Sequence, residues 1–366
     1  MNSSEVDNDT CYMYGGGYFQ KLYEVYLPVH LPLSGTICTF GVISNTINVV
    51  VLTRRSMRSP TNVLLAGLSV AQLCLVTNYL LLLAYNISAK SCLWPSLHDY
   101  AFLVLKWINV NTNVVFHSVA TCHTLMISIL RFLAVKAPTY SRTQINVRWS
   151  KIVILAIYVT VPVLCSPMFF MSFVAESEQY KGTCGREVVY ELEYTDNEVL
   201  IEAAMWEFGV LFKLVPSLTI AILSFFLISS LKRYQRKKAK LITLNHLKEN
   251  NDGSERLLSS PSPPVNRAQR RKRGGRKQLT KMLVAVALLC VSVELPHGIV
   301  NLLTAIFGQR FATEVYDNLG DIFEMLTLLY SSVNFILYCL ISVEYQKAFI
   351  ALFSSCVQKL PPKHTV

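Results

Sequence analysis

Seven apolar stretches, each long enough to cross a lipid bilayer, constrain the fold of this chain more than any other feature. A membrane-spanning helix needs about 20 predominantly apolar residues. These stretches run over residues 28–53, 61–85, 101–135, 150–173, 204–231, 281–307 and 316–341. Only 16% of the 366 residues are charged, whereas soluble proteins carry about 25%. Because the alternation of membrane barrels is absent, the sequence predicts an all-α membrane protein built as a seven-transmembrane helix bundle.

Basic residues in alternate loops predict the orientation of this bundle. Loops that face the cytoplasm are rich in Lys and Arg. Such residues follow the first and third stretches (Arg54, Arg55, Arg58, Lys136, Arg142 and Arg148) and fill the loop before the sixth. We therefore expect the N-terminus outside and the C-terminus inside, in a multi-pass protein of the plasma membrane. The net charge of +11 is then explained by the basic loops that set the orientation and contact membrane lipids. We therefore predict no nucleic acid partner.

Three parts of the chain follow from this topology. Residues 1–27 form an extracellular tail, in which Asn2 and Asn8 begin glycosylation sequons. Residues 28–341 form the helix bundle, including a basic cytoplasmic loop at 232–280 whose Ser- and Pro-rich centre predicts disorder. Residues 342–366 form a short amphipathic helix and the cytoplasmic tail, with Cys356 as a lipidation site.

One carboxyl group interrupts the sixth stretch at membrane depth. The segment "CVSVELPHG" carries Glu294, Pro296 and His297. An acid at mid-membrane costs roughly 3 kcal/mol on insertion scales and nearly always faces the bundle interior. A protonated acid bonded only to a backbone carbonyl is the structural alternative, but a functional role is favoured because buried acids in spans mark sites.

Catalytic and metal-binding motifs are not found in the sequence. His117, His123 and His297 have no closely spaced ligand partners. Neither a phosphate-binding glycine loop nor a nucleophile elbow is present. We therefore predict no enzyme activity, no metal and no cofactor.

Several motifs resemble the rhodopsin-like (class A) G-protein-coupled receptors. The third stretch ends "ILRFLAVKAP", the first contains "SNTINVVVL" and the seventh ends "SSVNFILYC". The resemblance covers all seven stretches and is closest to the invertebrate myosuppressin and FMRFamide-related neuropeptide receptors. It implies roles in G-protein coupling and activation for Arg131, Pro216, Pro296, Asn334 and Tyr338.

Departures from the family pattern are as informative as the matches. Glu294 replaces the usual span-six tryptophan, as in the peptide-receptor subgroup, and Gln72 replaces a span-two carboxylate that helps to hold sodium. Lys106 stands where the family has its span-three outer cysteine. If an outer-loop disulfide forms, Cys92 and Cys184 are the predicted pair. Cys11 is left over, and the sequence alone does not decide the pairing.

The resemblance implies a neuropeptide receptor that signals through heterotrimeric G proteins. It further implies that the neuropeptide is a basic amidated peptide of the FMRFamide or myosuppressin type. The expected ligand-binding residues are Asn113, His117, Glu294, His297, Asp321 and Glu324. The acidic second outer loop either steers a cationic peptide toward them or is only a solvated acidic loop. Two alternatives for the function remain, a seven-helix chemosensory receptor for a small molecule and, with less support, a membrane transporter.

Overall fold

The computed structural model describes residues 14–92, 96, 99–177, 188–251 and 267–357. Seven of its helical segments are long and apolar enough to cross a membrane, as the sequence predicts. We number these segments as spans one to seven. We call the end of the bundle where span one begins the outer end, after the predicted orientation.

The helices of the spans have the following bounds. Span one is Gly16–Leu52, span two Pro60–Lys90, span three Tyr100–Lys136, span four Val147–Leu164, span five Glu198–Trp206 with Glu207–Leu214 and Val215–Asn251, span six Arg267–Phe307, and span seven Ala312–Tyr316 with Asp317–Ile341. Shorter helices are Arg55–Met57, Pro138–Gln144, Ser166–Phe170, Gln309–Phe311 and Val343–Val357.

Span three lies at the centre of the bundle. It packs against spans two, four, five and six, while span one packs against spans two and seven. Spans five, six and seven close the ring through contacts of span six with both neighbours. Side chains that project inward from spans three, five, six and seven therefore meet near the middle of the bundle.

Local capping signals explain where two of the spans begin. The hydroxyl of Ser59 accepts a hydrogen bond from the Asn62 backbone N–H at 3.2 Å, and Pro60 occupies the first helical position of span two. The Asn146 side chain accepts from the Trp149 N–H at 2.9 Å where span four begins. Both caps satisfy backbone donors that a helix start leaves without partners.

Span one begins at Gly16 rather than near residue 28, because the helix continues through Pro28 and Pro32. Proline removes one backbone donor and usually marks a helix start or kink. An apolar run that begins at a proline therefore places the helix start too late.

A two-stranded antiparallel hairpin follows span four, and the sequence analysis did not predict it. Its strands are Ser172–Glu176 and Tyr190–Tyr194, with Ser172 opposite Tyr194. The indole N–H of Trp107 on span three donates to the Ser172 carbonyl at 2.8 Å. The hairpin is thus tied to the outer end of span three.

Helices extend into the 232–280 loop from both sides, whereas the disorder predicted for its Ser- and Pro-rich centre stays a prediction. Span five stays helical to Asn251, and span six begins at Arg267. Both stretches are rich in Lys, Arg, Gln and Leu, which are good helix formers. Residues 252–266, between them, lie outside the described residues.

The helix Val343–Val357 after span seven has the amphipathic character that the sequence predicts. Phe349 and Leu352 pack against the bundle core, while Ile350 is 61% exposed. The hydroxyl of Tyr345 donates to Oδ1 of Asn48 on span one at 2.6 Å. Burial raises the pKa of the Tyr345 hydroxyl above its ordinary value.

Candidate functional site

Glu294 lies at the centre of the bundle and is fully buried. Its Oε2 is 3.0 Å from Nε2 of His117 on span three, another of the expected ligand-binding residues. The Thr327 hydroxyl on span seven donates to Oε1 at 3.5 Å. The carboxyl group therefore bonds to side chains of two other spans. This geometry disagrees with the alternative in which Glu294 bonds only to a backbone carbonyl.

Lys213 on span five completes the cluster, and the sequence analysis missed it. Its Nζ lies 3.7 Å from Oε2 of Glu294 and 2.6 Å from Nδ1 of His297. The ammonium also lies over the Phe208 ring, 4.7 Å from the ring centroid. Lys213 is 1% exposed, so a buried cation accompanies the buried acid. A lysine inside an apolar span is the sequence signal that could have revealed it.

The backbone of spans five and six explains how Lys213 reaches Glu294. Residues Glu207–Leu214 form a π-helix, a geometry that frequently occurs at functional sites. A Cβ added at Gly298 would lie 3.2 Å from Cβ of Lys213. One added at Gly209 would lie 2.8 Å from Cβ of Asn301. The two glycines therefore permit the close approach of these spans.

His297 and Asn113 lie beside this cluster without contacting Glu294. The His297 ring stacks on Phe323 of span seven at 4.7 Å between centroids and accepts from Lys213. Asn113 lies one turn outward from His117, and its buried Oδ1 forms no hydrogen bond with a described residue. The structure thus brings three of the predicted residues together: His117 contacts Glu294 directly, and His297 is joined to Glu294 through Lys213.

Asp321 and Glu324 project from the outer half of span seven. Neither carboxylate forms an ion pair with any residue in the described part of the chain. Glu324 interacts electrostatically with Lys213 of the central cluster. Both carboxylates interact electrostatically with Tyr79, and Glu324 also lies within hydrogen-bonding reach of the Tyr79 hydroxyl. Tyr79 belongs to a hydrogen-bonded chain.

That chain links spans one and two beside the two acids. The hydroxyl of Tyr26 lies 2.8 Å from Nδ1 of His30, and Nε2 of His30 lies 3.0 Å from the Tyr79 hydroxyl. Spans one, two and seven thus share a polar surface in the outer half of the bundle.

A second polar cluster lies nearer the inner end. The Asn334 amide donates to Oε1 of Gln72 at 2.9 Å, and the Asn45 amide donates to the Ser331 carbonyl at 3.0 Å. Tyr338 is buried and packs against the Tyr345 ring. Gln72, which stands where the resembled family has a carboxylate, therefore pairs with another neutral amide.

Arg131 lines a cavity of about 350 Å³ at the inner end, together with Arg58, Ile145 and Glu344. It is 9% exposed. The two prolines assigned to activation lie within helical spans: Pro216 lies two residues after the end of the π-helix, and Pro296 lies two residues after Glu294. Any bend at Pro296 therefore acts next to the central cluster.

Several predicted modification sites lie outside the part of the chain that the structure describes. Asn2 and Asn8 are among these residues, and so is Cys184. Cys92 takes part in a disulfide whose other sulfur belongs to no described side chain, so the Cys92–Cys184 pairing stays a prediction. Cys356 lies in the last helix, and its lipidation also stays a prediction. Within the described ranges, no group of three His, Cys, Asp or Glu side chains could hold a metal ion.

Comparison with known proteins identifies the family. Residues 45–338 match the model of the 7 transmembrane receptor (rhodopsin family). The chain belongs to this family. Its members are non-enzymatic signalling receptors, so this receptor is a multi-pass protein of the plasma membrane and not an enzyme.

Individual relatives of this receptor include peptide-hormone receptors. It is 24% identical to the G-protein coupled receptor dmsr-1 of Caenorhabditis elegans, over 92% of this chain and 70% of that protein. It is 24% identical to the human thyrotropin-releasing hormone receptor, over 88% and 77%. It is 23% identical to the sex peptide receptor-related protein 2 of C. elegans, over 86% and 69%. Two of these three relatives are thus named after a peptide or a peptide hormone.

Proposed function

We propose that this receptor is activated by a basic, amidated, FMRFamide- or myosuppressin-like neuropeptide and signals through heterotrimeric G proteins. The observation that carries the proposal is the buried cluster of Glu294, Lys213 and His117, which joins spans six, five and three below the two outer carboxylates. Such a cluster gives a ligand in the outer half a means of changing the packing of three spans. The peptide class rests on the sequence resemblance and on the relatives that are named after peptide hormones.

The charges within the pocket predict which carboxylates meet the cation of the peptide. Glu294 already faces the Lys213 ammonium and the His117 ring, so an incoming guanidinium would have to compete with the cation of Lys213. Asp321 and Glu324 form no ion pair with a described residue. We assign the arginine of the peptide to these two acids, since a guanidinium binds a carboxylate through two parallel hydrogen bonds.

Activation then follows from a change in the central cluster. The deepest part of the peptide contacts Lys213, His297 or Asn113 and alters the attraction between Lys213 and Glu294. Span six moves about Pro296, and the cavity that contains Arg131 opens to the G protein. Because ligand and G protein favour the same state, each raises the affinity of the receptor for the other.

The two alternative functions differ in their support. A small-molecule receptor shares this architecture, so the ligand alone separates the two proposals. Membership of the receptor family gives no support to a transporter.

The experiment is a screen of amidated neuropeptides against cells that express the full chain, read out through several G-protein pathways. We expect nanomolar-range activation by a peptide with arginine near an amidated C-terminus. Replacing that arginine by citrulline keeps its shape but removes the charge. We expect this change to reduce potency on the order of tenfold or more, as for loss of a charged hydrogen bond.

Two controls make the screen decisive. The free-acid form of the active peptide tests the terminal amide, and untransfected cells test the background response. Equal potency of the arginine and citrulline peptides contradicts the charge assignment. Activation by small molecules alone contradicts the neuropeptide proposal.

A further inference from the structure

A groove of about 600 Å³ lies between the outer halves of spans two and three, apart from the ligand site. Its apolar lining consists mainly of Leu81, Leu82, Phe102, Leu105 and Ile108. Leu81 is 61% exposed and Leu105 is 59% exposed. Because both leucines lie within membrane-spanning segments, these exposed surfaces face lipid and not water.

Lys106 is the one charged side chain among the residues that line this groove. Its Nζ lies 5.2 Å from the centroid of the Tyr85 ring, a cation–π contact. In the described part of the chain it forms no ion pair with a carboxylate. An ammonium at the lipid-facing surface is costly unless it reaches an anionic or hydrated group.

The depth of Lys106 suits contact with a lipid head group. Span three begins at Tyr100, and six helical residues correspond to about 9 Å along the axis. A lysine stem can extend along apolar surface toward the interface from that depth. The ammonium can therefore reach the level of phosphate groups while its stem stays in the groove.

The amides in the groove are occupied in joining the two spans. Asn78 donates to the Asn109 carbonyl at 2.6 Å, and Asn109 donates to Oδ1 of Asn78 at 2.7 Å. This reciprocal pairing occupies the two amides, and Lys106 is the cation that the groove lining offers to an anion.

We propose that this groove binds a membrane phospholipid, with one acyl chain along Leu81 and Leu105 and the phosphate paired with Lys106. The apolar walls match an acyl chain, and the single cation matches the phosphate charge. A sterol offers only a hydroxyl group and leaves the ammonium without an anion. The site is separate from the peptide pocket, so a test of lipid binding does not depend on the proposed function.

The test uses the full chain reconstituted in phosphatidylcholine vesicles that contain a phosphatidylcholine probe with a photoreactive acyl chain. After irradiation and digestion, mass spectrometry measures labelling of peptides from residues 78–112. We expect Lys106→Gln to reduce this labelling about fivefold, the effect of one lysine–phosphate attraction. Lys106→Arg should retain it, and Leu81→Trp should reduce it by filling the groove.

Matched controls come from the lipid-facing surface of span four. Leu155 is 65% exposed, and Lys151 is exposed at the inner end of that span. Leu155→Trp and Lys151→Gln should leave the labelling unchanged. Labelling that is insensitive to Lys106→Gln overturns the proposal, and so does labelling of this segment by a photoreactive sterol but not by the phospholipid probe.

Discussion

At the scale of single residues, Glu294 is a buried acid with partners on several spans. Three side chains from three spans surround its carboxyl group. A buried ion pair contributes little net stability, but removing one partner is costly because the other charge stays buried. Its presence is therefore better explained by a role that needs two arrangements than by a requirement for stability.

Our first prediction concerns the link between Glu294 and His117. We expect Glu294→Gln and His117→Ala each to lower peptide potency about tenfold, a loss of about 1.4 kcal/mol, and to change basal signalling. The loss of potency in the double variant should be smaller than the sum of the two single losses. The difference corresponds to a coupling free energy of about 0.5–3 kcal/mol, as found for residues in contact. Concentration–response curves at matched surface expression measure these values. Wild-type potency and basal output in both single variants would show that the two residues are only structural.

The second prediction concerns Lys213, the cation that neutralises Glu294 from span five. Lys213→Met removes a cation that compensates the buried acid, and we expect it to lower the free energy of unfolding by about 3 kcal/mol. We expect lower surface expression and a lower midpoint of thermal unfolding for the purified receptor. Adding Glu294→Gln should restore part of the loss, because both charges are then gone. The exposed Lys151→Met is the control, and an equal loss in both lysine variants contradicts the argument.

At the scale of elements, the sequence predicts some contacts better than others. The family resemblance implied a shared ligand site for Glu294 and His117, and the two side chains lie 3.0 Å apart. Lys213 was missed because the π-helix Glu207–Leu214 changes the direction in which side chains of span five point. A prediction that assumes the regular periodicity of an α-helix does not include this change of direction.

The hairpin and the start of span one were missed for different reasons. The segment "YELEY" at Tyr190–Tyr194 alternates as a strand does, but five residues in an acidic loop are a weak signal. Span one extends outward past two prolines because a helix needs only its other backbone hydrogen bonds to continue. In both cases tertiary contacts decide the structure that local sequence leaves open.

The third prediction concerns the contact between spans five and six. In Gly209→Ala, the new Cβ would lie 2.8 Å from Cβ of Asn301, so the backbones must separate. Overpacking of this kind costs about 1–3 kcal/mol, and we expect a lower thermal midpoint. Gly320→Ala on span seven is the matched control, since no atom lies within 4 Å of its added Cβ. The control should be neutral or stabilising by about 0.5–1 kcal/mol. Equal midpoints in the two variants would refute the packing argument.

The fourth prediction concerns the element that tethers the outer loops. Cys92 is in a disulfide, and we expect peptide mapping without reduction to find it joined to Cys184. The bond would hold the loop after span four over the outer end of span three, where Trp107 already anchors the hairpin. Reduction before digestion is the control for the crosslinked peptide. A Cys11–Cys92 peptide in its place refutes this pairing.

At the scale of the whole molecule, the polar groups form layers from one end of the bundle to the other. Asp321 and Glu324 occupy the outer half, the Glu294 cluster the middle, and Gln72 with Asn334 the inner half. Arg131 lies below them in the cavity at the inner end. Span seven contributes to all three layers through Asp321 and Glu324, Thr327 and Asn334, so a shift of this span changes more than one layer at once. This arrangement can couple the two ends without a single connecting chain of contacts.

Our last prediction tests that coupling through Arg131. Reciprocity requires that a G protein raises peptide affinity by the same factor by which peptide raises G-protein affinity. We expect wild-type receptor with purified G protein to bind the peptide about 5–150-fold more tightly than receptor alone. Arg131→Ala should abolish this difference but leave the affinity of the receptor alone unchanged, because the residue lies at the opposite end from the ligand. Arg148→Ala, an exposed arginine at the inner end of span four, should keep the full difference. An Arg131→Ala receptor whose peptide affinity still responds to the G protein would show that this arginine is an interfacial charge and not part of the coupling surface.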